Sequence, residues 1–128
     1  MKRIAIAAAL ATTIAMQTTA FAGASFSAPV IIGTNIAYGS LRSARISGNT
    51  REYLGCAVYG ATNQAATTYV MCSAINAAGV SWACSTYAPS AQLVQAALAI
   101  SAGSFVIAQS DSAANCTYIY VNNNSAYQ

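Results

Sequence analysis

Side chains that could carry out acid–base chemistry are scarce in this chain. The sequence contains no histidine and two acidic residues, Glu52 and Asp111. General acid–base catalysis needs a group that titrates near the working pH, and histidine is the side chain that does so without special surroundings. Serines are numerous, but the sequence has no Gly-x-Ser-x-Gly turn and no histidine that could activate a serine. The inventory predicts a protein that is not an enzyme and uses no cofactor.

The two carboxylates have plainer interpretations. Glu52 follows Arg51, and we expect it at a solvated strand edge. Asp111 lies in a Ser-Asp-Ser turn, where an aspartate side chain typically bonds the backbone two residues further on. Calcium would need several oxygen ligands, and no loop of the sequence supplies them.

The four cysteines offer a different chemistry. Cys56, Cys72, Cys84 and Cys116 are an even number with no thiol left over, which predicts two disulfides in an exported protein. A four-thiolate zinc site is the rival interpretation, but no C-x-x-C pair and no histidine are present. We therefore expect disulfides and no metal.

The start of the chain predicts export. Met1-Lys2-Arg3 is basic, the next stretch to Met16 is uncharged and largely apolar, and Ala20-Phe21-Ala22 fits a cleavage site. The apolar stretch is shorter than the roughly 20 residues that span a bilayer as a helix. Residues 1–22 are predicted to be a signal peptide. Residues 23–128 are predicted to form one small secreted or periplasmic domain without a membrane span, and we expect the export to be bacterial.

The charge of the predicted mature domain is close to zero. Arg42, Arg45 and Arg51 stand against Glu52 and Asp111, three positive charges against two negative. The basic character of the whole chain therefore comes largely from the signal peptide, and the composition argues against a nucleic-acid partner. If residues 39–47 form a strand, Arg42 and Arg45 face opposite sides, as charges that protect a sheet edge.

Strands dominate the predicted secondary structure. Five short runs rich in valine, isoleucine, tyrosine and threonine are bounded by glycine, asparagine and serine: residues 53–59, 69–76, 80–87, 104–110 and 116–121, with 39–47 as a candidate sixth. One helix is predicted over residues 89–102, with Pro89 in its first turn and Gly103 at its end. The expected fold is α+β, an antiparallel sheet of five or six strands with one helix packed on one face, stapled by disulfides.

Two hairpins can be registered from their turns. A three-residue loop at Ala77-Ala78-Gly79 sets Cys72 opposite Cys84, so a bond between them is possible and would leave Cys56 for Cys116. A longer loop could equally set Cys56 beside Cys72, so the pairing of the cysteines stays open.

The second hairpin turns near Ala113. This register sets Phe105 opposite Val121 and Ile107 opposite Ile119 on the core face, with Cys116 in the turn.

Alternation along the strands separates an aliphatic face from an aromatic one. Leu54, Val58, Val70 and Trp82 share the cysteine side. The opposite side collects six tyrosines: Tyr53, Tyr59, Tyr69, Tyr87, Tyr118 and Tyr120. Tyrosine suits a recognition surface because it offers rigid area and a hydroxyl. It is also simply a common strand residue, and residues 23–36 could cover these rings as second-layer packing.

The function expected from these features is binding. We predict a small exported module that engages a protein, peptide or glycan through the tyrosine-lined face or its loops. A structural subunit that self-assembles outside the cell is the alternative, since weakly charged domains associate readily. An inhibitor of a secreted hydrolase is the second alternative.

Overall fold

The computed structural model of the chain describes residues 26–60, 68–124 and 126. The predicted signal peptide, residues 1–22, lies outside these described residues. Neither helix found within them is long and apolar enough to cross a membrane.

Seven strands and two helices follow one another in the described chain. In order they are β1 Ile31–Ile32, β2 Ile36–Ser40, α1 Leu41–Ile46, β3 Tyr53–Tyr59, β4 Tyr69–Ile75, β5 Ser81–Tyr87, α2 Ala91–Leu98, β6 Phe105–Ser110 and β7 Cys116–Asn122. The fold is α+β with antiparallel strand pairing throughout, as the sequence predicts.

The strands form two sheets, so the expected single sheet of five or six strands is wrong. Sheet A has the order β1-β2-β6-β7, and sheet B has the order β3-β4-β5. Alternation along a strand tells which side chains are buried together but not which strands pair, because both sheets bury one face against the same core.

The five predicted strands are confirmed to within a residue or so at each end. The candidate sixth, residues 39–47, is wrong: β2 ends at Ser40 and the chain turns directly into α1. The Ser40 side chain caps this helix by accepting a hydrogen bond from the Ser43 N–H at 3.3 Å. Serine at an N-cap favours the start of a helix, because its side chain accepts a hydrogen bond from a backbone N–H that the first turn leaves free.

The first hairpin has the predicted register. Gly79 has φ +83°, and the Asn76 N–H donates to the Val80 carbonyl at 3.0 Å to close the three-residue loop. Cys72 consequently lies opposite Cys84. Glycine is favoured at this position because other residues pay a steric cost at positive φ.

The second hairpin has the predicted register only beside its turn. Ser110 pairs with Cys116, but Gln109 pairs with Tyr118, so Thr117 is an extra residue in a bulge. Beyond the bulge every pair is shifted by one, and Val106 lies opposite Val121 instead of Phe105. Cys116 is therefore the first residue of β7 rather than part of the turn, and the core takes Val106 and Ala108 in place of Phe105 and Ile107.

The predicted helix is shorter than expected. It begins after Ser90, whose side chain accepts from the Leu93 N–H at 3.3 Å, so Pro89 precedes the cap. It ends at Leu98, well before Gly103, which is not the cap. Ala97 is buried in the core, and Leu93 and Ile100 are half-buried against that core.

The core is shared by both sheets and both helices, and it is thin. Among the described residues, five of the fourteen buried apolar residues are alanines, and the largest completely buried side chains are valines: Ala37, Ala44, Ala74, Ala97 and Ala108, with Val70 and Val106. An alanine methyl removes little apolar area from water, so each buried residue contributes less than a leucine would.

The segment before β2 is attached to this core rather than to the tyrosines. Residues 31–32 add a strand at the edge of sheet A, and Val30 is buried. Glu52 is buried too, which corrects its expected place at a solvated edge: its Oε1 accepts a hydrogen bond from the Val30 N–H at 2.6 Å. The carboxylate thus fastens the amino-terminal segment to the start of β3.

Candidate binding face

All four cysteines are bonded, and the pairing decides between the alternatives left open by the sequence. Cys56 joins Cys72 within sheet B, and Cys84 joins Cys116 between β5 and β7. The Cys72–Cys84 bond that the first hairpin permits is not formed. The first disulfide staples two neighbouring strands, and the second fastens sheet B to sheet A.

The sulfur atoms nevertheless lie close together. Those of Cys72, Cys84 and Cys116 are within 4.8 Å of one another and are buried. Because each is oxidised, none offers the thiolate that a zinc ion binds. The cluster is the crossing point of two disulfides.

The six tyrosines do not share one face, which corrects the expectation. Four of them lie on the side of sheet B that points away from the core: Tyr53, Tyr59, Tyr69 and Tyr87. Tyr118 and Tyr120 lie on sheet A, level with Gln109 and Ile107. All six tyrosines point away from the buried residues next to them on their strands, as predicted. They lie on separate faces because the strands that carry them belong to two sheets.

We call the outward side of sheet B the tyrosine face. Its twelve residues form four rows across the strands: Tyr53, Ile75 and Ser81; Gly55, Ser73 and Ala83; Ala57, Met71 and Ser85; and Tyr59, Tyr69 and Tyr87. The side chains between these positions point into the core and are buried or half-buried, among them Leu54, Val70 and Trp82. The predicted aliphatic and aromatic sides of these strands are confirmed.

Three tyrosines form a continuous row at one end of this face. Tyr59 and Tyr69 are stacked, with ring centroids 4.5 Å apart and planes 7° from parallel. Tyr69 and Tyr87 are 5.4 Å apart with a tilt of 35°. Tyr87 is 70% exposed and Tyr59 is 44% exposed, while Tyr69 between them is half-buried. Within the row, Tyr59 and Tyr69 each have one ring face covered by the other ring.

The middle of the face is shallow. Gly55 has open space above it, so that even an added Cβ would meet no atom within 4 Å. Its row continues with Ser73 and Ala83, which are also small. The larger Tyr53 and the tyrosine row stand on either side, about 20 Å apart along the strand, given a rise of roughly 3.4 Å per residue. Between Tyr53 and the tyrosine row lie the row of Gly55, Ser73 and Ala83 and then the row of Ala57, Met71 and Ser85.

No residue of the tyrosine face carries a charge. Its exposed members include Met71 at 37% and Tyr53 at 44%, together with the row just described. An uncharged, partly aromatic surface is characteristic of contact areas, since aromatic residues and methionine are enriched in interfaces and charged residues are depleted at their centres.

The two carboxylates lie in different loops, and both accept hydrogen bonds from backbone N–H groups. Asp111 Oδ1 accepts from the Ala113 and Asn115 N–H groups at 2.9 and 2.8 Å, which confirms the predicted turn role. Hydrogen bonds from the side chain and backbone of Asn115 lower the pKa of the Asp111 carboxyl. Glu52 is engaged by Val30 as described. Neither residue lies on the tyrosine face.

The arginines also lie elsewhere. Arg42 and Arg45 stand on α1, three residues apart, so they share a helix face instead of pointing to opposite sides of a strand. They border a hollow with Ile46 and residues 101–103. Arg51 lies in the loop before β3, with its guanidinium near Gly79.

Sequence reasoning missed several members of the face. Met71, Ile75 and Ala83 alternate with buried residues just as the tyrosines do, so the same period of two would have found them. The signal for the row itself was also present, since the register of the first hairpin places Tyr69 opposite Tyr87.

Comparisons with other proteins add no relatives. The chain matches no known protein family, no curated protein and no solved structure.

Proposed function

We propose that this protein is an exported, non-enzymatic binding module, and that the tyrosine face is where it engages a protein or peptide. The observation that carries the proposal is the row of Tyr59, Tyr69 and Tyr87, which remains exposed at its ends on a sheet whose other side is a closed core. Two disulfides are compatible with an oxidising, extracellular location.

The geometry of the row favours protein or peptide over glycan. A sugar ring stacks on an open face of an aromatic ring, and the stacking of Tyr59 on Tyr69 covers one face of each of these two rings. Tyrosine rings and hydroxyl groups suit apolar contact together with hydrogen bonds to a peptide backbone. Tyr87, tilted and 70% exposed, is the ring with most free surface.

The middle of the tyrosine face suits a segment of polypeptide. Gly55, Ser73 and Ala83 allow close approach of a backbone, and this row lies between Tyr53 on one side and Met71, followed by the tyrosine row, on the other. Because no charge lies on this face, the partner segment is expected to be uncharged and to contribute apolar or small polar side chains. A charged segment would lose its solvation there without gaining an opposite charge.

Absence of catalysis rests on the inventory of the sequence and on where its carboxylates lie. The chain has no histidine, and both acidic residues are held by backbone N–H groups. A site for acid–base chemistry would need such groups to converge on a free space.

A phage-displayed peptide library provides the probe for the proposed function. We expect the oxidised protein to enrich peptides that are poor in charged residues, and we expect Tyr59→Ser with Tyr87→Ser to abolish the enrichment. Tyr118→Ser with Tyr120→Ser is the matched control, because these tyrosines are similarly exposed, at 47% and 41%, but lie on sheet A. Loss of enrichment in the control pair instead, or no enrichment by the unaltered protein, would contradict the proposal. Binding confined to an array of glycans would show that the partner class is wrong.

A further inference from the structure

Three of the four cysteines occupy one row of sheet B. In the register of the sheet, Cys72 on β4 lies opposite Cys56 on β3 and also opposite Cys84 on β5. All three side chains are on the core side of their strands, since the alternate positions form the tyrosine face. Cys72 therefore has a cysteine on each side, although it is bonded to Cys56.

The sulfur atoms of the two disulfides lie close to each other. The Cys72 sulfur is within 4.8 Å of both sulfurs of the Cys84–Cys116 bond, and the Cys56 sulfur does not belong to this group. Disulfide partners exchange when a thiolate attacks one sulfur of a disulfide, so exchange requires proximity of this kind. Of the two cysteines in the first disulfide, Cys72 is the one placed to attack the second.

A bond between Cys72 and Cys84 is compatible with the geometry of the sheet. The Asn76 N–H donates to the Val80 carbonyl, so alternation along the strands makes Cys72 and Cys84 a hydrogen-bonded pair. The Cα atoms of such a pair are about 5.5 Å apart, and a disulfide usually spans about 4.4 to 6.8 Å between Cα atoms. The backbone separation of β4 and β5 therefore suits a disulfide at this position.

The cysteines differ in their access to solvent. Cys56 on the edge strand is half-buried, whereas Cys72 is 0% exposed and Cys84 and Cys116 are 3% exposed. A thiol from outside the protein therefore reaches Cys56 more readily than the other three cysteines. Attack on the Cys56 sulfur makes Cys72 the leaving group.

We propose that Cys56 is a site of S-thiolation, and that a small thiol attacking it starts an exchange that opens the Cys84–Cys116 bond. In the first step the thiolate bonds to the Cys56 sulfur, the Cys56–Cys72 bond breaks, and its electron pair leaves on Cys72. In the second step the Cys72 thiolate bonds to the Cys84 sulfur, and the electron pair of the Cys84–Cys116 bond leaves on Cys116. The proton lost by the small thiol ends on Cys116. A mixed disulfide at Cys56 and a Cys72–Cys84 bond thus replace the two original disulfides without net oxidation or reduction.

The exchange would remove a covalent link between the two sheets. In the oxidised protein Cys84–Cys116 joins β5 of sheet B to β7 of sheet A, whereas a Cys72–Cys84 bond joins two strands of sheet B. The bond between β3 and β4 would also be lost. A thiol at the edge of sheet B would therefore weaken a junction that it does not touch, so the two disulfides act together as a redox-sensitive switch. This inference does not rest on the proposed binding function.

Two single variants separate exchange from the simple loss of a disulfide. Cys56→Ala leaves the Cys72 thiol beside the Cys84–Cys116 bond, and Cys72→Ala leaves the Cys56 thiol outside the sulfur group. The variants are matched because each lacks the same disulfide and keeps one free thiol. Each is incubated at mildly alkaline pH, where a thiol is partly ionised, and its free thiols are then alkylated with N-ethylmaleimide.

Digestion with chymotrypsin and mass spectrometry identify the bonded and the alkylated cysteines. Each cysteine falls on its own peptide because aromatic cleavage sites separate them: Tyr59, Tyr69, Trp82 and Tyr87. For Cys56→Ala we expect the Cys72–Cys84 pair with alkylated Cys116, beside the Cys84–Cys116 pair with alkylated Cys72. For Cys72→Ala we expect the Cys84–Cys116 pair alone, with alkylated Cys56.

The unaltered protein tests where the thiol enters. With a limiting amount of reduced glutathione, we expect glutathione on Cys56, alkylated Cys116 and the Cys72–Cys84 pair in the same molecules. The same treatment of Cys72→Ala should leave Cys116 without alkylation. If the variants do not fold, as judged by circular dichroism, the experiment on the unaltered protein decides by itself.

Three results would overturn the inference. Folded Cys56→Ala could be alkylated at Cys72 alone, or Cys116 could be alkylated equally in the two variants. In the unaltered protein, glutathione could appear on Cys84 or Cys116 with no Cys72–Cys84 pair. Each of these results concerns the disulfides and leaves peptide binding by the oxidised protein untouched, so the failure of one proposal is distinguishable from the failure of the other.

Discussion

Cys72 and Cys84 lie directly opposite each other on β4 and β5, yet each is bonded to a different cysteine. Cys72 reaches its neighbour on the other side, Cys56, and Cys84 reaches Cys116 across to the second sheet. The predicted hairpin register is thus correct, but two other disulfides form in place of the one it permits: Cys56–Cys72 joins β3 to β4, and Cys84–Cys116 joins β5 to β7 of the other sheet.

Removal of either disulfide should destabilise the protein because the core is thin. The chain-entropy relation gives about 3 kcal/mol for Cys56–Cys72 and about 4 kcal/mol for Cys84–Cys116, whose sequence separations are 16 and 32. The two double variants to alanine are therefore expected to unfold at lower urea concentration than the unaltered protein, with the Cys84–Cys116 pair the more affected. Four free thiols in the purified protein, or a melting temperature indifferent to reducing agent, would contradict this expectation.

The hydrogen bond between Glu52 and Val30 should stabilise the attachment of the amino-terminal segment. Glu52→Ala leaves the buried Val30 N–H without its acceptor, which typically costs about 1 to 3 kcal/mol. Glu52→Gln keeps an acceptor oxygen and should lose less. Urea denaturation measures the free energy of unfolding, and exchange of the Val30 amide measures the local effect. Equal stability of the alanine and glutamine variants would show that the bond is not important.

Asp111 should respond to acid as a carboxylate that is held in its charged form. Its hydrogen bonds, chiefly from Asn115, place its pKa in the folded protein below the ordinary value. A carboxyl whose pKa is lower in the folded than in the unfolded protein stabilises the folded state at pH values above the unfolded pKa. This stabilisation is lost as the pH falls through the folded pKa. Titration by NMR is expected to show that low pKa, with faster exchange of the Ala113 and Asn115 amides as the carboxyl protonates. A pKa at or above the ordinary aspartate value would contradict the turn geometry.

Substitutions at two turn positions should change the stability of the protein in opposite directions: Gly79→Ala should lower it, and Ala114→Gly should raise it. Gly79 has φ +83°, so Gly79→Ala is expected to destabilise the first hairpin by about 1 to 2 kcal/mol. Ala114 has φ +61°, and Ala114→Gly should relieve a cost that the alanine pays there. Thermal denaturation of the two variants gives the sign of each change. A stabilised Gly79→Ala variant would mean that the loop has another conformation.

Much of the local structure could be predicted from the sequence because its signals are local. Alternation found the five main strands, and Gly79 fixed the first register. The second register is right at Ser110 and Cys116, and the bulged Thr117 then shifts every later pair by one residue. Nothing in the residue types marks that bulge.

The pairing of strands that are distant in the sequence explains the remaining differences between the predicted and the observed structure. Both sheets show the same alternation, so the sequence could not separate Tyr118 and Tyr120 from the other four tyrosines. The helix at Leu41–Ile46 was missed because its residues also fit a strand, although Ser40 before it is a good cap. The disulfide pairing depends on the packing of β5 against β7, which no spacing reveals.

The most direct measurement of the central claim is hydroxyl-radical footprinting of the individual tyrosines, in buffer and then in culture fluid from the source of the protein. In dilute buffer, Tyr87 and Tyr59 should be modified faster than Tyr69, in line with their exposure. In the culture fluid, protection should appear at Tyr59 and Tyr87 while Tyr118 and Tyr120 keep their rates. Rings of the tyrosine face that are already protected in dilute buffer, or protection that falls equally on both sheets, would contradict the account.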